Sequence, residues 1–420
     1  MSALLIEGSH PLAGRVEVGG NKNAALPLLA ACLLTDRPCT LTNVPRIRDV
    51  EVMIGLLRDL GAEVQWNEQT TIRIHCKDVV KDEPDPSLVG LLRGSVLLIG
   101  PLLARRGRAR LAPPGGDFPT RRTIVTHLEA LRAMGARDLD DGHGHALEVV
   151  EGLRPASIYL DEASVTGTET AILAAAAAHG LTEIRHAACE PHVVELCRFL
   201  QSLGVEIEGA GAPTLRIRGG ASLGGAEHRL NGDYIEAGSW AVVAAITGGD
   251  VEIAGACAED VEVITVVLNR MQVRCRVDGD LLHVQGSTLR AAGRITTGLW
   301  PGFPSDLVSL VTVLATQAEG RTLVHDWMYE LRLFALEQLS GMGADLFLCD
   351  PHRMIVTGVQ KLRGRALDGR DLRSGMALIA AALAADGQSR VRPLETVERG
   401  YANLVENLRR LGARVHRIEE

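Results

Sequence analysis

Two hydrophobic patterns alternate along this chain. One is a short run of alternating apolar and polar residues, as in RVEV (15–18) and AEVQW (62–66), which is the signature of a half-buried strand. The other is an Ala/Leu-rich run that is apolar nearly all round, as in AILAAAAA (171–178) and ALIAAALAA (377–385), which marks a helix buried on every side. From residue 15 onward the pattern predicts a strand over 15–18, a helix over 22–34, a strand over 39–44 and a helix over 50–60 that ends at Gly61. Two further strands, within 62–66 and 70–76, read as a hairpin. The order is β-α-β-α-β-β.

This unit recurs. A helix-ending phrase appears as LRDLGAEV, LRAMGARD, LQSLGVEI, LNRMQVRC, SGMGADL and LRRLGARV, pivoting on Gly61, Gly135, Gly204, Gln272, Gly343 and Gly412. The spacings are 74, 69, 68, 71 and 69 residues, and a sixth of the 420-residue chain is 70. Glycine at this point reads as a helix C-cap, where a left-handed backbone costs it little; the fourth copy has lost it. Half a period away an apolar helix, a polar turn and a β-branched strand recur at 25–44, 95–112, 171–187, 241–256, 310–326 and 377–394. Six units exceed one core, so three per domain is the expected division.

Composition narrows the function. Aromatic residues make up 3% of the chain, too few for a single-strand nucleic-acid platform, and a net charge of −8 argues against a broad phosphate-backbone footprint. No apolar run approaches the ~20 residues of a membrane span, and the first residues carry no basic leader, so a cytoplasmic chain without membrane association is expected. The eight cysteines form no C-x-x-C pair and read as buried, reduced thiols. His143 and His145 read as a polar hairpin turn, and no metal or organic cofactor is expected.

The charges carry more information. Each repeat has two junctions that lead into a helix. The first junctions hold Lys22 and Asn23; Arg93; Ser164, Thr166 and Thr168; Asp233 and Glu236; Asp306; and Asp371 and Arg373. The second hold Arg46; Asp117 and Arg122; Glu190; Glu259; Arg332; and Arg399. Asp and Ser at a helix start are ordinary caps. Lys and Arg there oppose the helix dipole by about 0.3–1 kcal/mol, a cost easier to understand where an anion binds among them. Arginine forks suit carboxylate and phosphate, and Lys serves as a point charge, so a small, multiply anionic ligand in a cleft between two domains is expected. The Gly/Pro-rich segment 111–123 lacks strand or helix periodicity and reads as a lid over that cleft.

GGNKNAALPLLAACLL (19–34), RGSVLLIGPLLAR (93–105), LAPPGGD (111–117), PGFPSDL (301–307), DLRSGMALIAAALAADG (371–387) and VERGYANLVENLRRLGARV (397–415) resemble the enolpyruvyl transferases. Within that family, which includes 5-enolpyruvylshikimate-3-phosphate synthase, KN-A-A-L and PGGD favour the UDP-N-acetylglucosamine 1-carboxyvinyltransferase branch. The resemblance spans the chain. It implies an α/β fold of two inside-out domains, each of three β-α-β-α-β-β repeats. The domains would be 21–230 and 1–20 plus 231–420, with the active site in the cleft. It also implies transfer of enolpyruvate from phosphoenolpyruvate to the 3-hydroxyl of UDP-N-acetylglucosamine, the first committed step of peptidoglycan synthesis, by a monomer or weak oligomer.

The resemblance assigns roles residue by residue. Lys22, Arg122 and Arg399 match positions that hold phosphoenolpyruvate, chiefly its phosphate. Arg332 and Arg373 match positions near its carboxylate and phosphate. Asn23 and Asp306 match contacts to the acceptor sugar, with Asp306 taking the proton from its hydroxyl. Arg93 and Asp371 complete the charged cluster, and Arg93, Arg122, Ser164, Val165, Glu190 and Met328 match the acceptor side. Asp117 stands where most members have a cysteine that serves as general acid and is alkylated by fosfomycin. This implies activity without a thiol and insensitivity to that antibiotic. A free Asp, with a pKa of ~3.9, must be raised to act as an acid. Departures at Thr123, Glu162 and Thr166 cluster on the nucleotide side. They leave open a paralogue that uses another nucleotide hydroxyl, such as that of UMP, and a non-catalytic nucleotide-binding homologue.

Overall fold

The computed structural model describes residues 2–116, 123–139, 144–330 and 332–419. The chain forms two compact units, Gly20–Asn231 and Met1–Gly19 with Gly232–Glu420.

In each unit the helices are inside and the sheets outside. The unit containing both termini packs the helices Tyr234–Ile246, Val308–Ala315 and Leu372–Ala384 against one another. All residues of the first two are buried, as are all but Ala384 of the third. Around them lie three four-stranded sheets. Their strands, in spatial order, are Ala366–Asp368, Gln388–Arg392, Ser2–Glu7 and Arg414–Glu419; Arg274–Asp278, Leu281–Gln285, Asp250–Ala254 and Ala13–Glu17; and Gly293–Thr296, Gly320–His325, Arg353–Gly358 and Asp345–Asp350. The burial alternates along these strands, for example at Arg274–Asp278, so one face meets the helices and the other meets water.

The unit Gly20–Asn231 repeats the plan around the helix Lys22–Ala31, the helical segment 93–106 and the helix Val165–Ala177. Two of its sheets have four strands. The third, Arg108–Leu111, His145–Glu148 and Arg137–Asp138, has three among the described residues. The short helix Pro86–Val89 lies ahead of the second copy, where the repeat calls for an opening strand.

The strand Ala13–Glu17 belongs to the unit that holds Gly232–Glu420 and does not share a sheet with Cys39–Thr42. It pairs in parallel with Asp250–Ala254, while Cys39–Thr42 takes Glu227–Arg229 as its parallel neighbour. The first repeat therefore lends its opening strand to one unit and borrows a later strand in the other. One detail was not read from the sequence: the strand Ser2–Glu7 pairs antiparallel with Arg414–Glu419 and so supplies the last strand partner of the sixth copy. The thiols also differ from expectation. Cys32, Cys39, Cys76 and Cys197 are buried, but Cys189, Cys257 and Cys275 are half-buried and Cys349 is exposed.

The pivot residues are left-handed in every copy, with φ of 103°, 96°, 108°, 101° and 91° at Gly61, Gly135, Gly204, Gly343 and Gly412. Gln272 keeps the conformation at φ 61° without being glycine. Its N–H donates to the Asn269 carbonyl and that of Val273 to Leu268, the paired bonds that close a helix end. Gln272→Gly is therefore expected to stabilise the protein by about 0.5–1 kcal/mol, read as a rise in the unfolding midpoint. A fall would contradict this reading.

Candidate active site

Among the described site residues, Asp306, Arg332 and Arg373 are brought into direct contact. In the unit with the termini, three helix starts converge. Asp306 lies in the turn Ser305–Leu307 that leads into Val308–Ala315, Arg332 precedes the turn Phe334–Met342, and Arg373 is the second residue of Leu372–Ala384. Arg332 donates from Nη2 to Asp306 Oδ1 at 2.6 Å. Arg373 donates from Nε and Nη2 to Asp306 Oδ2 at 3.1 and 2.7 Å. One carboxylate is thus shared by two guanidinium groups. Burial alone pushes the Asp306 carboxyl up; the Arg373 and Arg332 charges overrule it and hold the pKa far below the usual carboxylate range. The same pairing raises both arginines against the burial that acts to lower them.

Each arginine has a further support. The Arg332 guanidinium lies over the Tyr329 ring, 4.4 Å from its centroid. Arg373 Nη1 reaches the Tyr401 hydroxyl at 3.4 Å, and that hydroxyl meets Ser239 Oγ at 2.8 Å. Asp371 is buried and caps the Leu372–Ala384 helix, accepting from the backbone N–H of Arg373 and Ser374 and from the Ser374 hydroxyl. Both of its oxygens serve the cap, which fixes the helix turn that carries Arg373. Met328 is half-buried, with its N–H on Asp326. Arg399 is half-buried between the helices Leu394–Val397 and Leu404–Arg410.

Behind this cluster, Asp233 caps Tyr234–Ile246, and its own N–H donates to the Gly19 carbonyl. Glu236 accepts from Gly19 N–H and from Trp240 Nε1–H, both at 3.1 Å. Burial, with the neighbouring Asp233 charge, pushes its carboxyl up to about 8.

In the unit Gly20–Asn231, Lys22 opens the helix Lys22–Ala31, capped by the Asn21 side chain through the N–H of Asn23 and Ala24. Its ammonium lies 2.7 Å from Asp49 Oδ2, with both side chains largely buried. Arg93 begins the segment 93–106 and donates from Nη2 to the Thr123 carbonyl at 2.6 Å. Gly116 packs so closely on Arg93 that an added Cβ would come within 2.9 Å of the arginine Cβ. Arg93 thus touches residues on both sides of 117–122. Asp117 and Arg122 lie outside the described residues, as does His143. Ser164 caps Val165–Ala177 through Gly167 N–H, Val165 is its first residue, and Glu190 stands at the cap of Pro191–Ser202. Thr166 Oγ1 is 2.9 Å from His127 Nε2, and Thr126 donates to Asp161 at 2.7 Å.

Glu169 is buried in the Val165–Ala177 helix. Burial, reinforced by the Glu190 charge, pushes its carboxyl well above the usual range and favours the neutral form. A raised folded-state pKa gives a contribution to stability that is complete below the unfolded value of 4.5 and is lost as pH rises toward the folded one. Glu169→Gln has the same shape and no proton to lose. It is expected to leave the unfolding midpoint nearly unchanged at about pH 5 and to raise it at about pH 9. Equal shifts at both would contradict the protonated state.

Sequence reading missed several partners. Asp49 looks like an ordinary acidic residue in the first turn of Arg48–Asp59. Tyr401 sits in a segment already singled out, two residues after Arg399, and could have been found as a polar residue of that segment. Ser305 and Asp326 carried no signal of their own.

The model of the EPSP synthase (3-phosphoshikimate 1-carboxyvinyltransferase) family matches residues 6–408. The chain belongs to this family. Among its carboxyvinyltransferase relatives, the UDP-N-acetylglucosamine 1-carboxyvinyltransferase of Bradyrhizobium diazoefficiens is 43% identical over 99% of this chain and 98% of its own. That of Borreliella burgdorferi is 40% identical over 100% of both. Among solved structures, the enolpyruvyl transferase NikO from Streptomyces tendae has a TM-score of 0.89 at 27% identity, covering 99% of this chain and 98% of its own. EPSP synthase from Acinetobacter baumannii, at 19% identity and a TM-score of 0.77 over 100% of both chains, shares the carboxyvinyltransferase fold.

Proposed function

We propose that this enzyme transfers the enolpyruvyl group of phosphoenolpyruvate to the 3-hydroxyl of UDP-N-acetylglucosamine and releases inorganic phosphate. The observation that carries the reading is the Asp306 carboxylate held between Arg332 and Arg373, in a chain 43% identical along its length to a UDP-N-acetylglucosamine 1-carboxyvinyltransferase. In the first step the acceptor oxygen bonds to C2, its proton passes to Asp306, and C3 gains a proton from Asp117. In the second step the C2–O bond to phosphate breaks and C3 loses a proton, restoring the double bond. Lys22, Arg122 and Arg399 hold the phosphate, and Arg332 and Arg373 the carboxylate and phosphate. Asn23, Arg93, Arg122, Ser164, Val165, Glu190 and Met328 hold the acceptor.

The electrostatics suggest how the base is switched on. A carboxylate paired with two guanidinium groups is a poor base, because its charged form is over-stabilised. Phosphoenolpyruvate brings a carboxylate and a phosphate, five terminal acceptor oxygens in all, and competes for those guanidinium groups. As they turn to the substrate, Asp306 loses its stabilising charges and its basicity rises beside the hydroxyl it must deprotonate. The arginines then meet the charge that develops on the tetrahedral intermediate.

The product serves peptidoglycan synthesis, and the enzyme acts in the cytoplasm on two soluble metabolites as a monomer or weak oligomer. No described helix is long and apolar enough to cross a membrane. The test is incubation with phosphoenolpyruvate and UDP-N-acetylglucosamine, following phosphate and the sugar nucleotide together. One phosphate per enolpyruvyl ether is expected. No phosphate, or release only when UMP replaces the sugar nucleotide, would overturn the reading.

A further inference from the structure

Behind Arg332 lies a fully buried carboxylate that the reaction as written does not use. Asp326 follows the strand Gly320–His325 and is 0% exposed. Its backbone is fixed from both sides: its N–H donates to the His352 carbonyl at 2.8 Å, and its carbonyl accepts from His352 Nδ1 at 2.7 Å. Its Oδ1 accepts from the Thr297 hydroxyl at 2.8 Å and from the Met328 N–H at 3.3 Å. Its Oδ2 accepts from the Ser305 hydroxyl at 2.8 Å.

The Ser305 contact has a direction. A serine hydroxyl has one proton to give, and a carboxylate can only accept. The proton therefore points at Asp326, and the oxygen lone pairs face the other way. There Arg332 Nη1 donates to Ser305 Oγ at 3.1 Å, while Nη2 of the same guanidinium donates to Asp306. Arg332 is thus held by two acceptors on neighbouring residues, one a charge and one a hydroxyl whose polarity is set from behind. When substrate draws Nη2 off Asp306, the Ser305 bond is the one that keeps the guanidinium in place.

We infer that Asp326 is a positioning residue for the transfer reaction, which orients the Ser305 hydroxyl so that its oxygen anchors Arg332 for phosphoenolpyruvate. The inference rests on the function proposed above. A purely structural role, stitching Thr297 and the turn at Met328 together, uses Oδ1 alone; the Ser305 arm uses Oδ2.

Asp326→Asn separates the two roles. The Met328 N–H is a fixed donor, so the asparagine turns its carbonyl oxygen toward it and keeps that turn and the Thr297 bond. Its NH₂ then takes the place of Oδ2 and donates to Ser305, which reverses the hydroxyl toward Arg332 and sets donor against donor. The test is steady-state kinetics of wild type, Asp326→Asn, Ser305→Ala, the double variant and Ser305→Thr, with thermal unfolding of each. Expected are a rise of about 10- to 100-fold in KM for phosphoenolpyruvate in Asp326→Asn and a comparable rise in Ser305→Ala. Asp326→Asn should add no further loss in the Ser305→Ala background, and Ser305→Thr, which keeps a hydroxyl, should stay near wild type. Losses that simply multiply in the double variant would overturn the proposal, as would Ser305→Ala behaving like Ser305→Thr. Where Asp326→Asn fails to fold, Ser305→Ala behaving like Ser305→Thr still overturns the proposal. A wild type that releases no phosphate would refute the proposed function itself; an active wild type with multiplying losses refutes only the role of Asp326.

Discussion

Asp306→Asn is expected to slow phosphate release by about 10²–10⁴-fold while phosphoenolpyruvate binds as tightly as before or more tightly. The two halves of this result come from the same geometry. The asparagine amide cannot take a proton from the acceptor hydroxyl, so the chemical step loses its base. Yet Arg332 and Arg373, each now without its charged partner, have one competitor fewer for the substrate's anionic oxygens. A variant that lost binding and kept turnover would place Asp306 outside the chemistry. Stability adds a second signature. Because the folded-state pKa of Asp306 is depressed, its contribution is present above its unfolded value of 3.8 and is lost as pH falls below it. Asp306→Asn should therefore be less stable than wild type at neutral pH, with the gap closing in acid.

Arg373→Lys should show the reverse split. The guanidinium spends three nitrogens here, Nε and Nη2 on Asp306 and Nη1 on Tyr401. An ammonium is a single point and cannot reproduce that fork. One bond to Asp306 survives, and the grip on a carboxylate or phosphate weakens. The expected result is a fall of about 10- to 100-fold in kcat/KM for phosphoenolpyruvate, most of it in KM, with kcat less affected. Arg373→Ala should be worse in another way. It strips a buried charge pair of one member and is expected to cost about 3–5 kcal/mol of stability. An Arg373→Lys enzyme with unchanged KM and depressed kcat would assign the arginine to the transition state alone.

The sequence announced the parts of the fold that are local. The six pivots are helix C-caps because the chain must turn left-handed there, and even Gln272 obeys. The apolar helices were visible because burial on every side leaves no polar stripe. Strand exchange was not visible in the hydrophobic pattern and came only with the domain bounds that the family resemblance implies. Nothing in RVEV says that its neighbour is Asp250–Ala254 rather than Cys39–Thr42, since both partners present the same β-branched pattern. Nor did SALLIE show that it closes a hairpin with the far end of the chain.

The same divide runs through the site. Arginines at helix starts stood out because they oppose a dipole, and Arg332 and Arg373 do meet at one carboxylate. Their supports stayed hidden. Asp49 meets Lys22 from a different helix and is written like any first-turn acid. Asp326 and Thr297 follow ordinary strand ends and Ser305 opens an ordinary turn, and their meaning lies in which hydrogen bond points which way. Glu169 sits beside an alanine run, where the pattern announces burial but not a buried acid.

The two guanidinium groups that neutralise Asp306 in the free enzyme are expected to be the ones that hold the three-carbon acid. A crystal structure of the slow Asp306→Asn enzyme with phosphoenolpyruvate and UDP-N-acetylglucosamine bound reads this directly. Nitrogens of Arg332 and Arg373 are expected within roughly 3 Å of carboxylate or phosphate oxygens of phosphoenolpyruvate. Phosphoenolpyruvate bound out of reach of both side chains would contradict it.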